Sequence, residues 1–197
     1  MRSPGKLVLA SASPRRRELL GRLGMPFEVR PVDADETPRP GESAEALVVR
    51  LALAKARAAA QPGEVALGAD TAVTLDGEIL GKPADADDAR KMLAALSGRE
   101  HEVWTGVAVV ALPTELGPAR ELARACRTTV RFRLLDDAEI DAYVASGESA
   151  DKAGAYAIQG GAARFVDAVD GELTNVVGLP LPLVVDLLDE LEAVPAS

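Results

Sequence analysis

The feature that most constrains this chain is a short apolar segment that runs through small hydroxylated residues into a helix start. Residues 7–10 have the composition of a buried strand, and Ser11-Ala12-Ser13-Pro14 follows them. Ser13 can cap a helix by accepting a backbone N–H, and Pro14 suits the first helical position, where no N–H is needed. A strand, a turn of small residues and a helix N-terminus together predict an anion site, because free N–H groups and the helix dipole point at the turn.

Three consecutive arginines, Arg15 to Arg17, occupy the first turns of that predicted helix. Cations at a helix N-terminus oppose the helix dipole, so local helix stability does not explain them. A bound polyanion does explain them. The opening segment therefore predicts a site for a multiply charged ligand.

Composition limits the class of function. The 197 residues suffice for a single domain with two lobes, and 48% hydrophobic with 27% charged residues is typical of a soluble globular protein. A net charge of −9 argues against nucleic-acid and membrane-surface partners, since both need a basic footprint. It still allows a small anion in a local basic pocket. The single cysteine, Cys126, excludes an intrachain disulfide, indicates a reducing compartment and is expected to pack within a strand.

Strand and helix patterns alternate along the chain, with hairpins as well as crossovers. Strands are predicted at 6–10, 27–30, 65–69 with 72–75 continuing extended, 78–81, 102–112, 120–134, 163–169 and 176–177. Helices are predicted at 14–23, 43–60, 85–96, 136–146 and 181–191, and residues 195–197 are expected to fray. We therefore predict an α/β fold with a mixed, twisted sheet flanked by helices.

The usual nucleotide-binding and metal-binding signatures are absent from the sequence. It contains neither a P-loop nor a G-x-G-x-x-G motif. The one histidine, His101, argues against a His-rich zinc site and a Ser-His-Asp triad. We interpret His101 as an exposed turn residue that precedes a strand.

Two acidic residues are candidates for chemistry. Asp70 follows the strand at 65–69 and precedes Thr71, and a carboxylate at a strand end commonly faces the ligand cleft of an α/β sheet. It could bind a hard divalent cation or act as a general base on water. A turn in which both side chains bond local backbone is an open alternative. Glu36 is the second candidate. It lies in a Pro-rich loop at residues 31–41, where acidic side chains are commonly just solvated.

Two lysines and a glutamine complete the candidates. Lys82 precedes Pro83 and is therefore held extended, while Lys55 lies on the flank of its helix beside the apolar stripe. Each alone is compatible with a solvated lysine, but phosphoryl chemistry needs positive charge around developing oxyanions together with a metal. Gln159 lies in a segment of small residues, where it could read a base edge or be hydrogen-bonded within a tight loop.

Several motifs in a fixed order resemble those of the Maf family of nucleoside triphosphate pyrophosphatases along nearly the whole chain. They are Ser11-Ala12-Ser13-Pro14-Arg15-Arg16, residues 33–36, the helix 50–57 with Lys55, Gly68-Ala69-Asp70-Thr71, Gly81-Lys82-Pro83, Leu96-Ser97-Gly98, residues 151–156, Ile158-Gln159-Gly160 and Val177-Gly178-Leu179-Pro180. Such a series is far more specific than any one motif.

The resemblance implies an elongated cytoplasmic protein with a cleft between two lobes, in many members a homodimer. It implies hydrolysis of a nucleoside triphosphate between the α and β phosphates with a divalent cation, Mg²⁺ or Mn²⁺. Carried over by position, Asp70 is the proton acceptor or a metal ligand and Glu36 a second ligand. The phosphate-binding positions are Ser11, Arg15, Arg16, Lys55 and Lys82. The base-preference positions are Arg15, Thr71 and Gln159, of which the last two agree with the dTTP/UTP branch rather than the 7-methyl-GTP branch.

Two other classes stay open. One is a nucleotide-binding regulator of cell division or septum formation that lacks relevant catalysis. The other is a pyrophosphatase for inosine triphosphate, which has a related architecture and a different base pocket.

Overall fold

The computed structural model describes residues 6–113 and 118–193, and the predicted frayed end at 195–197 lies outside them. The strands are β1 Lys6–Leu9, β2 Phe27–Val29, β3 Glu64–Leu75, β4 Glu78–Leu80, β5 Glu100–Ala111, β6 Arg120–Phe132 and β7 Val166–Asp170. The helices are α1 Pro14–Gly21, α2 Ala44–Ala59, α3 Ala86–Leu96, α4 Asp137–Ala145, α5 Leu173–Val177 and α6 Leu181–Ala193. No helix in this part of the chain is long and apolar enough to cross a membrane.

The strands form one mixed sheet in the order β2-β1-β3-β5-β6-β7, with β4 paired to β3. β1 runs parallel to β2 and β3, whereas the β3–β4, β3–β5, β5–β6 and β6–β7 pairs are antiparallel. The predicted mixed α/β sheet is therefore confirmed. Cys126 lies on β6, as its strand pattern predicted, and its side chain is only partly buried.

The apolar core gathers in two main clusters. One packs β1, β3 and β5 against α1 and α6, with Leu19, Leu67 and Leu187 fully buried. The other packs the far ends of β3, β5 and β6 against α3 and α4, around Phe132 and Leu93. The cleft described below is lined by residues of β1–α1, β3 and the segment that follows α4, so both clusters support it.

Glycines let helix α2 lie directly on the sheet. A Cβ at Gly68 would collide with the carbonyl oxygen of Ala52 and approach the nitrogen of Ala56 to 2.7 Å, and one at Gly106 would collide with the Val48 carbonyl. Only glycine permits this approach of backbone to backbone. This close packing matters for function because it places Lys55 of α2 over the middle of β3, within hydrogen-bond distance of Asp70.

Gly68→Ala is expected to lower the free energy of unfolding by about 2 kcal/mol, because α2 must move away from β3. Urea denaturation measures this change. Gly21→Ala is the matched control, since no atom lies within 4 Å of the added methyl group and the residue ends a helix. Equal stability of the two variants would contradict this account of the packing.

Two predictions of local structure are wrong. Val176 and Val177 belong to helix α5 rather than to a strand, because Glu172 caps that helix and Gly178, with φ of 117°, ends it. These caps outweigh the strand preference of two β-branched residues. Residues 163–165 lie in a 3₁₀ turn, and the predicted strand begins only at Val166.

The predictions for Asp70 and His101 also need correction. Asp70 lies in the middle of β3 rather than at a strand end, because β5 pairs with β3 from Val65 to Thr74 without interruption. His101 is not an exposed turn residue: it lies on β5 and is only 2% exposed. The strand starts at Glu100, and alternation of side chains points His101 into the core.

Candidate active site

A cleft of about 900 Å³ opens beside the N-terminus of α1. It is lined by eight of the nine site residues predicted from the sequence, namely Ser11, Arg15, Arg16, Glu36, Lys55, Asp70, Thr71 and Lys82. The sequence alone could not bring these residues together, and the fold does so. Gln159, the ninth, lines a smaller neighbouring cavity.

The centre of the cleft is an ion-paired cluster of two acids and two lysines. The Nζ of Lys55 donates to Asp70 Oδ1 and to Glu36 Oε1, both at 2.6 Å, and Lys55 and Asp70 are buried. Lys82 Nζ reaches Glu36 Oε2 at 3.4 Å from the exposed side. Burial opposes the charged form of Glu36, but the two lysines outweigh it and lower the pKa of that carboxyl. Lys55 is thus a buried site residue and not a solvated one.

Arg16 connects three segments that border the cleft. Its guanidinium donates to Gly178 O at 2.8 Å, to Thr71 Oγ1 at 3.1 Å and to Ser11 Oγ at 3.4 Å. Removal from water lowers the pKa of Arg16, while the charge of Asp70 raises it. The predicted cap is confirmed, because Ser13 Oγ accepts the backbone N–H of Arg16 and so starts α1 at Pro14.

Gln159 lines a small cavity of about 30 Å³ that shares lining residues with the cleft. Arg15, Tyr156, Val176 and Val177 line both spaces. The exposed Gln159 amide makes no hydrogen bond to the described residues. The hydrogen bonds that hold its loop run from Ala157 N to the Tyr143 hydroxyl and from Gly161 N to Glu148. The side-chain amide of Gln159 is therefore available to hydrogen-bond a ligand beside Arg15.

The donor set suits a hard divalent cation only if a ligand supplies further oxygens. The carboxylates of Asp70 and Glu36 both contact one position, which the ammonium of Lys55 occupies. Within residues 6–113 and 118–193, no three acidic, histidine or cysteine side chains come together. Mg²⁺ is commonly held by one or two carboxylates plus substrate phosphates, so these two acids fit a metal that binds together with a polyphosphate.

Two lining residues carry polar groups that the sequence did not single out. Lys152 borders the cleft from the segment after α4, where its ammonium pairs with Asp151. Tyr156 forms a wall shared by both cavities, and its hydroxyl bonds His101 Nε2 at 2.8 Å. The available signal for Lys152 was its place in the motif at 151–156.

Fold and site together define an α/β protein with a cation-rich cleft built around a buried Asp–Lys pair. A family model described as Maf-like protein matches residues 6–191, and the chain belongs to the Maf family. The family named from the motifs is thereby confirmed.

Curated relatives match this chain over most of their length. The chain is 59% identical over 183 residues to a dTTP/UTP pyrophosphatase of Anaeromyxobacter sp. (strain Fw109-5), covering 93% of this chain and 88% of that protein. It is 53% identical over 185 residues to the dTTP/UTP pyrophosphatase of Myxococcus xanthus, covering 93% and 91%. A Moorella thermoacetica protein of the same name is 54% identical over 185 residues, covering 93% of each chain.

Proposed function

We propose that this protein is a nucleoside triphosphate pyrophosphatase that hydrolyses dTTP and UTP to the monophosphate and pyrophosphate. Relatives at 53–59% identity bear the name dTTP/UTP pyrophosphatase, which supports the substrate class. The observation that carries the proposal is the Asp70 carboxylate, which Lys55 holds in a cleft that Arg15, Arg16 and Lys82 also line.

Asp70 is the proton acceptor in the proposed reaction. Its Oδ1 is anchored by Lys55, and no donor from the described residues lies on Oδ2, so this oxygen can take a proton from water. The water oxygen attacks the α phosphorus in line, and the bond from that phosphorus to the bridging oxygen breaks. Pyrophosphate leaves with the electron pair, and the nucleoside monophosphate retains the new oxygen.

The cations of the cleft bind and stabilise the phosphates. Arg16 is fixed by three hydrogen bonds, so its charge is positioned before the substrate arrives. Ser11, Arg15, Lys82 and Lys152 also line the cleft. The positive charges of the cleft favour the extra negative charge that develops as pyrophosphate leaves.

A divalent cation, Mg²⁺ or Mn²⁺, held by Asp70 and Glu36 would supply Lewis-acid polarisation of the phosphate oxygens. The ammonium of Lys55 lies between these two carboxylates. A cation bound to both would have to displace the ammonium or bind beside it. Glu36 keeps a second partner in Lys82, so its carboxylate remains ionised and ready to bind a cation.

Base preference is assigned to the small cavity beside the cleft. Gln159 offers both an amide donor and an acceptor there, next to the guanidinium of Arg15. The hydroxyl of Thr71 does not line this cavity and accepts a hydrogen bond from Arg16, so we propose that it affects substrate choice indirectly. A cytoplasmic location, a homodimer, the two-lobed single domain and the lack of nucleic-acid or membrane partners stay predictions.

A substrate panel tests the proposal. With Mg²⁺ or Mn²⁺, we expect pyrophosphate release from UTP and dTTP at least about tenfold faster than from 7-methyl-GTP and ITP. Turnover in H₂¹⁸O should place the label in UMP, because water attacks the α phosphorus. Preferred cleavage of 7-methyl-GTP or ITP would contradict the base assignment. Formation of UDP would contradict the reaction, and UTP binding without UMP would favour a regulatory protein.

A further inference from the structure

A line of hydroxyl groups leads from Arg16 in the cleft to the interior of the protein. Arg16 Nη2 lies 3.1 Å from Thr71 Oγ1, which lies 2.9 Å from Thr105 Oγ1 on the neighbouring strand β5. Thr105 is fully buried and does not line the cleft. Its hydroxyl lies 3.0 Å from the backbone oxygen of Asn175 in helix α5.

The direction of each hydrogen bond in this line follows from the groups at its two ends. The Asn175 carbonyl can only accept, so the single hydroxyl proton of Thr105 is donated to it. Thr105 Oγ1 must then accept the proton of Thr71. At the other end, the guanidinium of Arg16 can only donate. Thr71 is therefore fixed as the acceptor for Arg16, and it has no proton left to donate to a substrate.

The far end of the line is firmly attached to the sheet. Asn175 is fully buried, and its Nδ2 donates to Val103 O and to Thr128 Oγ1, both at 2.9 Å. The same short segment ends in Gly178, whose carbonyl accepts Arg16 Nε at 2.8 Å. Two of the three hydrogen-bond partners of the guanidinium, Gly178 O and Thr71 Oγ1, therefore trace back to helix α5 and its C-terminal residue.

We propose that Thr105 is a positioning residue of the phosphate-binding site, which orients Arg16 through the hydroxyl of Thr71. The inference rests on the proposed role of Arg16 in binding phosphates. Without the Thr105 hydroxyl, the proton of Thr71 loses its acceptor and can turn toward Arg16, where it faces another donor. The guanidinium then loses its fixed orientation although no residue of the cleft has changed.

The alternative is a purely structural role, in which Thr105 only satisfies the Asn175 carbonyl. A structural role predicts that loss of the hydroxyl lowers stability and does not act through Thr71. A double-mutant cycle distinguishes the two roles, because Thr71→Val removes the hydroxyl that joins Thr105 to Arg16 without changing side-chain shape.

The test measures binding of inorganic tripolyphosphate by calorimetry, together with kcat and KM for UTP. T105V and T71V should each raise the Kd of tripolyphosphate and the KM for UTP about tenfold, as expected for loss of an oriented bond to a charged group. The double variant T71V/T105V should bind no more weakly than T71V. T105S, which restores the hydroxyl, should bind as the wild type does.

The control is Thr74→Val, which removes another buried hydroxyl from β3 that does not line the cleft. It should leave tripolyphosphate binding unchanged. If T105V does not fold, Thr105→Cys replaces it in the cycle, because a thiol is a weak donor. Multiplicative effects of T71V and T105V, or failure of T105S to restore binding, would overturn the inference. Lack of UTP turnover by the wild type would contradict the proposed function alone, since the binding cycle needs no turnover.

Discussion

Asp70→Asn is expected to lower kcat for UTP roughly 10³-fold, which is within the usual effect of removing a general base. The amide has no oxygen basic enough to take the proton of water. Its oxygen can still accept the hydrogen bond from Lys55, so the buried ammonium keeps a partner and the fold is retained. Pyrophosphate release measured under saturating UTP gives the size of the loss.

Binding separates loss of chemistry from loss of the site. The cleft of D70N carries one negative charge fewer, so UTP without metal should bind at least as tightly as to the wild type. Asp35→Asn is the matched control, because it removes a charge from the loop of Glu36 at an exposed residue that does not line the cleft. Turnover of D70N close to that of D35N would rule out Asp70 as the proton acceptor.

Much of the local structure could be predicted because it depends on interactions between near neighbours. Ser13 and Pro14 start α1, and Asp136 starts α4 through a capping box with Glu139. Asp76-Gly77 forms the predicted hairpin turn, with positive φ at both residues. In each case the residues that determine the structure are adjacent in sequence, so a pattern of residue types suffices.

The centre of the site could not be predicted from residue patterns because it depends on packing across the sheet. Lys55 looks like a flank residue of an amphipathic helix, and only the contact of α2 with Gly68 brings it over Asp70. The distinct roles of Arg15 and Arg16 likewise depend on which partners lie opposite them. Arg16 faces Gly178, which follows it by 162 residues, whereas Arg15 faces the cavity of Gln159.

The family motifs predicted residues that line one cleft but not how these residues act. Thr71 and Gln159 both follow as base-preference positions from the resemblance. The structure separates them, since Gln159 lines an open cavity while the hydroxyl of Thr71 is engaged with Arg16 and Thr105. A motif records which residue types occur together, and the direction of a hydrogen bond depends on partners outside the motif.

His101, which its sequence context placed wrongly at the surface, leads to a large predicted effect on stability. Burial lowers the pKa of His101 from 6.5 to about 4. Its ring packs edge-on against Phe132 and bonds the Tyr156 hydroxyl, and Nδ1 is buried without a partner among the described residues. A proton on this ring would place a charge in an apolar cluster, which the folded state resists.

The free energy of unfolding is therefore expected to fall as the pH falls from about 6.5 toward about 4. In this range the unfolded chain binds a proton at His101 and the folded chain does not, so stability rises with pH. The full effect is about 3 kcal/mol, of which about 2 kcal/mol is lost by pH 5. The ion-paired carboxyls of Glu42 and Glu139 have pKa values lowered to about 2, so their contributions are lost only below about 4.5.

Urea denaturation at about pH 7.5 and at pH 5 measures this loss. His101→Gln is the comparison, because its amide can still bond the Tyr156 hydroxyl but does not titrate. The wild type should lose about 2 kcal/mol more than the variant over this range. Parallel losses in both proteins would show that another group titrates.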